Sequence, residues 1–179
     1  MKELSLNILD VAKNSVRAGA SRIKISIDTD LDGIMTVIIE DNGCGMDEEM
    51  VKNVTDPFCT TRTTRKVGLG LPLLKMAAEQ TGGSISITSS VEKGNSGTVV
   101  RAVFDTKSID CMPMGDIVST VCVLIAGSPE IDFEFSDRSP ERCVEMKTVE
   151  LRAVLGDISL AEPEIQTWMS EYLKDQYLQ

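Results

Sequence analysis

Residues 40–46 read EDNGCGM and close the apolar, β-branched run that begins at Ile34. That run predicts a strand, after which two glycines, Gly43 and Gly45, stand one residue apart beside the carboxylate of Asp41. Because Asn42 and Gly43 both tolerate a positive φ, a hairpin turn is one interpretation of this stretch. A ligand-binding loop is the other, and the surrounding sequence has to distinguish the two.

Upstream of this stretch, the chain predicts one amphipathic helix and one hairpin. Residues 3–18 repeat apolar side chains at helical spacing, place Asn7, Asp10 and Asn14 on the polar side, and end at a capping glycine. The β-branched runs at 21–28 and 33–41 are joined by a turn rich in Asp and Gly, which is typical of a β-hairpin.

Downstream, the pattern predicts a short helix from Asp47 and then an aperiodic loop over residues 55–70, rich in Thr and Gly. A further helix is expected from Leu71 to the Gly82-Gly83 pair, with Pro72 tolerated in its first turn. Two short β-branched runs then predict a second hairpin. The first domain is therefore expected to cover residues 1–105.

Residues 106–179 differ in composition and predict a separate small α+β module with a helix, a hairpin and a C-terminal amphipathic helix. The helical spacing of Trp168 and Tyr172 favours a place in the core over a ligand cage. Charge is unevenly divided, because residues 1–105 carry a net charge of −2 and residues 106–179 a net charge of −8. An anion site is therefore expected in the first part.

The overall composition excludes several classes of function. A formal net charge of −10 argues against coating nucleic acid or anionic membranes, since both need a basic surface. The chain has no apolar run long enough to span a membrane, and its polar start is unlike a secretion signal, so a cytoplasmic protein is expected. The five cysteines form no CxxC pair, which is typical of reduced thiols, and histidine is absent.

Two groups of polar residues indicate chemistry. Asp10 and Asn14 lie four residues apart on one helix face, where a carboxylate could activate water and an amide oxygen could bind Mg²⁺; a solvated helix face is the alternative. The sequence Gly68-Leu69-Gly70 leads into a helix N-terminus, which favours an anion, although an ordinary tight turn also fits. Cations just upstream could close over a phosphate: Arg62, Arg65 and Lys66.

The order and spacing of five segments identify a family resemblance. LDVAKNSVRAGA, DNGCGM, DPFCTTR, VGLGLPLLK and GTVVRAVF together resemble the ATP-binding domain shared by histidine kinases, type II topoisomerases, heat-shock chaperone ATPases and the mismatch-repair MutL proteins. The resemblance covers about residues 1–105. It implies a two-layer α/β sandwich with a mixed, mostly antiparallel sheet, followed here by the α+β module, and ATP and Mg²⁺ as cofactors.

The resemblance also implies roles for individual residues. Asp41 would accept a hydrogen bond from the adenine amine, Gly43 and Gly45 would give the base room, and Asn14 would bind Mg²⁺. Asp10 stands where the hydrolysing branches of the family have a glutamate general base. The remaining implied nucleotide contacts are Met46, Phe58, Arg62, Lys66, Gly68, Leu69, Gly70, Leu71 and Thr98.

Three functions stay open at this point. The one we favour is Mg²⁺-dependent ATP binding of the histidine-kinase type, with phosphoryl transfer to a separate protein partner or slow hydrolysis. A second is a regulatory module that binds nucleotide without turnover, orders the loop from Asp56 to Val67 as a lid and controls a protein partner. The third is a MutL-like or topoisomerase-like ATPase fragment, which would need a transducer domain and a basic surface.

Overall fold

The computed structural model describes residues 3–56 and 69–179. Its helices are α1 (Leu4–Arg17), α2 (Glu48–Asn53), α3 (Gly70–Gln80), α4 (Ile117–Gly127), α5 (Thr148–Leu155) and α6 (Pro163–Tyr177). Its strands are β1 (Arg22–Thr29), β2 (Ile34–Asp41), β3 (Ser84–Ser90), β4 (Gly97–Asp105), β5 (Asp132–Ser139) and β6 (Arg142–Lys147).

The described strands form one six-stranded sheet in the order β3-β4-β2-β1-β5-β6. Every neighbouring pair is antiparallel except β1 and β5, which run parallel. This confirms the expected mixed, mostly antiparallel sheet with helices packed on it. Both predicted hairpins of the first part are present, and α5 is the helix that the sequence pattern did not predict.

One face of the sheet carries the hydrophobic core. Alternate strand residues such as Ile25, Ile39 and Phe135 point to this face, as a two-residue period requires, and are almost completely buried. Helices α1, α3, α4 and α6 contribute their apolar sides to the same core cluster. Gly19, just after the end of α1, has a φ of 73°, the left-handed conformation expected of a capping glycine.

Residues 106–179 extend this sheet instead of building a second one. Strand β5 pairs along β1, and α4 packs beside α1. The first free N–H groups of α1 are satisfied by backbone carbonyls of this part, since Leu4 N donates to Pro113 O at 3.0 Å and Ser5 N to Met114 O at 2.8 Å. The boundary at residue 105 stays a prediction about independent folding.

Two side-chain placements differ from the sequence-based expectation. Asn7, expected on the polar side of α1, is 1% exposed. Trp168 and Tyr172, expected in the core, are 46% and 41% exposed and stack on each other with ring centroids 5.1 Å apart. The period of a helix gives its apolar side, but the neighbouring elements determine how far that side is covered.

Candidate functional site

The stretch EDNGCGM leads from the end of β2 towards α2 and not into a second strand, so the hairpin-turn interpretation of Asn42-Gly43 is wrong. The Asn42 side chain ties this connection to the start of β1, because its Oδ1 accepts from Ser21 N at 2.9 Å and from Arg22 N at 2.8 Å. Cys44 N donates to Ala18 O at 2.9 Å. The loop is therefore held against the α1–β1 junction.

The carboxylate of Asp41 is fixed through both of its oxygens. Ser15, 4% exposed on α1, donates its hydroxyl to Asp41 Oδ2 at 2.5 Å, and Gly43 N donates to Asp41 Oδ1 at 2.9 Å. Each carboxylate oxygen still has accepting capacity, since it carries two lone pairs. Asp41 is thus a preoriented acceptor at the end of β2.

Two glycines let the backbone segments around Asp41 approach one another. Gly45 has a φ of 71°, and a Cβ on it would lie 1.8 Å from Ser90 O at the end of β3. A Cβ on Gly97 would lie 2.1 Å from Asp41 O. Any larger residue would push the loop away from the β3–β4 hairpin. This close approach is a structural reason for a glycine at position 45. It adds to the role that the resemblance implies, which is to give the base room.

A cavity of about 450 Å³ lies beneath this loop, between α1, the start of α3 and strand β4. Its wall combines apolar side chains with a few polar groups, the usual character of a small-molecule site. Six of the predicted site residues line it: Asn14, Asp41, Gly45, Met46, Leu71 and Thr98. Eight further residues complete the lining: Val11, Ser15, Arg17, Ala18, Cys44, Met50, Val54 and Val100.

Asn14 lines the cavity, and its amide oxygen is the atom of this side chain that a metal ion could bind. Its Oδ1 accepts from the guanidinium of Arg17 at 3.3 Å, and its buried Nδ2 has no partner among the described residues. Residues 3–56 and 69–179 hold no cluster of three or more acidic, Cys or His side chains that could cage a metal. Mg²⁺ commonly takes one or two protein ligands beside phosphate and water, so a single amide oxygen suits that mode.

Asp10 lies next to the start of α3 and is not part of the cavity lining. The Cβ that an alanine at position 70 would carry lies 2.9 Å from the Asp10 Cβ, so Gly70 permits the close packing of α3 on α1. Leu69, directly before α3, is exposed, whereas Leu71 is buried against the cavity. The other predicted contacts fall outside the described residues: Phe58, Arg62, Lys66 and Gly68. The proposed lid, from Asp56 to Val67, also lies outside the described residues except for Asp56.

Comparison with known families identifies the origin of this arrangement. Residues 2–108 match the family described as "Histidine kinase-, DNA gyrase B-, and HSP90-like ATPase". The chain belongs to this family. The match spans α1 to β4, the elements that carry the cavity and all of the predicted site residues.

Similar proteins include two bacterial kinases. The chain is 37% identical over 105 residues to the signal transduction histidine-protein kinase AtoS of Escherichia coli, and 35% identical over 97 residues to sporulation kinase D of Bacillus subtilis. These alignments cover 58% and 54% of this chain but only 17% and 19% of the two kinases. The chain therefore spans less than a fifth of each of these relatives.

A solved structure extends the likeness of the fold beyond residue 108. The MutL ATPase domain of Aquifex aeolicus, complexed with ADP, superposes with a TM-score of 0.55 at 15% identity, over 87% of this chain and 69% of that one. At this identity the comparison shows the fold alone. The fold of the ATPase family is thus confirmed for the chain.

Sequence reasoning did not find several residues that shape the cavity. Ser15 follows Asn14 directly but faces the core side of α1, and only the packing of α1 on β2 brings it to Asp41. Ser89 is a small polar residue in a strand, and only the register of β3 and β4 sets it beside Thr98. A signal in the sequence could have found both residues: Ser15 and Ser89 are polar, although each occupies a position where the helix or strand pattern predicts an apolar side chain.

Proposed function

We propose that this protein binds ATP with Mg²⁺ in the cavity beneath Asp41 and transfers the γ-phosphoryl group to a separate protein partner or hydrolyses ATP slowly. The observation that carries the proposal is the carboxylate of Asp41, which Ser15 and Gly43 orient at the wall of a largely apolar cavity. A fixed carboxylate accepts from the amine of adenine and repels the keto oxygen that guanine presents at the same position.

The family match supports ATP as the ligand, and the two kinase relatives support phosphoryl transfer as the reaction. In this proposal Asn14 holds Mg²⁺, which screens the charge of the phosphates when it is bound. The start of α3 offers free backbone N–H groups to the phosphates, with Gly70 and Leu71 at its first positions. Because residues 1–179 contain no histidine, a histidine that accepts the phosphoryl group must lie outside them.

Titration calorimetry with ATP, ADP and GTP, each with and without Mg²⁺, tests this proposal. Asp41→Asn removes a charge-assisted hydrogen bond, so we expect about ten- to a hundredfold weaker ATP binding. Asp28→Asn is the matched control, because Asp28 is an exposed aspartate on the neighbouring strand β1. Unchanged ATP affinity in a folded Asp41→Asn variant would remove the adenine assignment.

The short side chain of Asp10 favours a second function, in which nucleotide binding regulates a partner without turnover. Asp10 lies beside Gly70 at the start of α3, where this proposal places the phosphates. It is also one methylene shorter than the glutamate of the hydrolysing branches, which reduces its reach to an attacking water. A MutL-like fragment has less support, because residues 106–179 carry a net charge of −8 and offer no basic surface.

Single-turnover assays with labelled ATP, with and without cell extract, separate the two functions. If Asp10 is a general base, Asp10→Asn leaves ATP affinity intact and lowers phosphate release by about 10²–10⁴-fold. If the protein only binds nucleotide or transfers phosphoryl to a partner, basal release is near background in both proteins. The measured rate therefore decides between them.

A further inference from the structure

The hydroxyl of Ser89 lies at the centre of a small hydrogen-bond network behind the cavity wall. Its Oγ lies 2.8 Å from each of three atoms: the backbone N of Met46, the backbone O of Gly97 and the Oγ1 of Thr98. Thr98 itself lines the cavity and is the register partner of both Ser89 on β3 and Asp41 on β2. Ser89 is not itself in the lining, and the lining side chain that it contacts is that of Thr98.

The positions of the hydrogens in this network follow from the chemistry of its members. Two oxygens 2.8 Å apart attract only if a hydrogen lies between them. The Gly97 carbonyl has no hydrogen to give, so the single Ser89 hydrogen is used on Gly97 O. The contact between Ser89 and Thr98 then takes its hydrogen from Thr98. The Met46 N–H occupies another lone pair of Ser89.

This assignment determines what Thr98 can offer to a ligand. With its hydrogen committed to Ser89, Thr98 Oγ1 presents only lone pairs to the cavity. The neighbouring Asp41 is also acceptor-only, and the Ser15 hydrogen is committed to Asp41. The part of the wall formed by Ser15, Asp41 and Thr98 thus accepts hydrogen bonds and donates none.

We propose that Ser89 is a positioning residue that sets the hydrogen-bond polarity of Thr98, so that the wall selects a purine with an amine at C6 over one with a keto oxygen there. The proposal rests on the proposed function, since it concerns the base of a nucleotide in this cavity. An amine supplies two hydrogens to such a wall, whereas a keto oxygen adds an acceptor that nothing there satisfies.

The test compares the affinities for ATP and inosine triphosphate, which differ at C6 and in the protonation of the adjacent ring nitrogen. Ser89→Ala releases the Thr98 hydrogen, which can then donate to the keto oxygen. We expect the ratio of ATP affinity to inosine triphosphate affinity to fall about three- to tenfold. Ser89→Thr keeps a hydroxyl at this position, so we expect it to have the same affinity ratio as the unaltered protein. Ser86→Ala, an exposed serine on the same strand, leaves it unchanged.

A purely structural role for Ser89 would change both affinities by the same factor and leave their ratio intact, which would overturn the proposal. A second check introduces Ser89→Ala into the Thr98→Val variant. Because valine has no hydroxyl whose hydrogen Ser89 could orient, Ser89→Ala must leave the affinity ratio of that variant unchanged. If Ser89→Ala does not fold, Ser89→Cys decides, since a thiol is a weak partner and should lower the ratio as well.

The same titrations separate this inference from the proposed function. Absence of ATP binding to the unaltered protein would remove the proposed function itself. ATP binding with a preference over inosine triphosphate that Ser89→Ala does not lower would overturn only the role of Ser89. Equal affinity for the two nucleotides would overturn the role of Ser89 together with the adenine assignment of Asp41.

Discussion

Ser15 on α1 and Asp41 at the end of β2 are joined by a hydrogen bond of 2.5 Å, 26 residues apart in the chain. The bond links the helix that carries Asn14 to the strand that carries the proposed base-recognition carboxylate. Because Ser15 is buried and Asp41 is half-buried, the geometry of this bond depends on the packing of α1 on the sheet.

Ser15→Ala should weaken ATP binding by about three- to thirtyfold, because it removes one of the two donors that orient Asp41. Titration calorimetry measures the loss. Ser5→Ala is the matched control, since Ser5 is also buried on α1 but its hydroxyl has no partner among the described residues. Equal losses from both substitutions would mean that the affinity responds to helix packing and not to the Asp41 contact.

Asn14→Ala should weaken Mg²⁺-loaded ATP much more than metal-free ATP. In our proposal the removed amide oxygen binds the metal ion and not the base. Mg²⁺ is titrated at fixed ATP for both proteins. An equal loss with and without metal would show that Asn14 only supports the fold, through its contact with Arg17.

Gly45→Ala should disrupt the loop beneath which the cavity lies. The new Cβ would stand 1.8 Å from Ser90 O, which forces the loop or the β3–β4 hairpin to move. Gly94→Ala is the control, because Gly94 has a φ of 90° but open space around it. This substitution should cost only the strain of a left-handed backbone at alanine, about 1 kcal/mol. We expect a clearly larger loss of unfolding free energy at position 45, measured by urea denaturation.

Asn7→Leu should raise the stability of the protein. Asn7 is 1% exposed, and neither its Oδ1 nor its Nδ2 has a hydrogen-bond partner among the described residues. An unsatisfied buried polar group costs about 1–3 kcal/mol, and leucine is of similar size and apolar. Urea unfolding of the two proteins gives the difference in free energy. A loss of stability would indicate that the amide is bonded to water.

The start of α4 should make stability depend on pH in the acid range. The Ser119 hydroxyl and N–H donate to Asp116 at 2.6 and 2.9 Å, and these bonds lower the pKa of the Asp116 carboxyl below its ordinary 3.8. A group with a lowered folded-state pKa stabilises the fold above its unfolded pKa and loses that contribution as the pH falls through the folded value.

Asp116→Asn keeps an N-cap but cannot titrate, so its stability should lack this acid-dependent part. The difference in unfolding free energy between the two proteins should therefore shrink as the pH is lowered from about 5 to 3. Asp116→Ala should cost about 1 kcal/mol at neutral pH through loss of the cap. A difference that stays constant with pH would mean that Asp116 stabilises α4 without its charge.

The sequence by itself determined the family, most of the secondary structure and the principal polar residues of the cavity. These follow from local signals: the helical period of α1, the β-branched runs, the capping glycines and the motif DNGCGM in its order with the others. The placement of Asn14, Asp41 and Thr98 around one cavity agrees with the motifs that named them. Local patterns suffice here because backbone period and turn chemistry depend on near neighbours.

Tertiary structure alone decided which groups act on those residues. The pairing of Ser15 with Asp41 and the chain of hydrogen bonds that joins Thr98, Ser89 and Gly97 depend on helix packing and strand register. The parallel pairing of β5 with β1 likewise joins two compositionally different parts into one sheet. Such contacts join residues that are far apart in the chain or lie on different strands, and their geometry is fixed only when the core packs, so no local period encodes them.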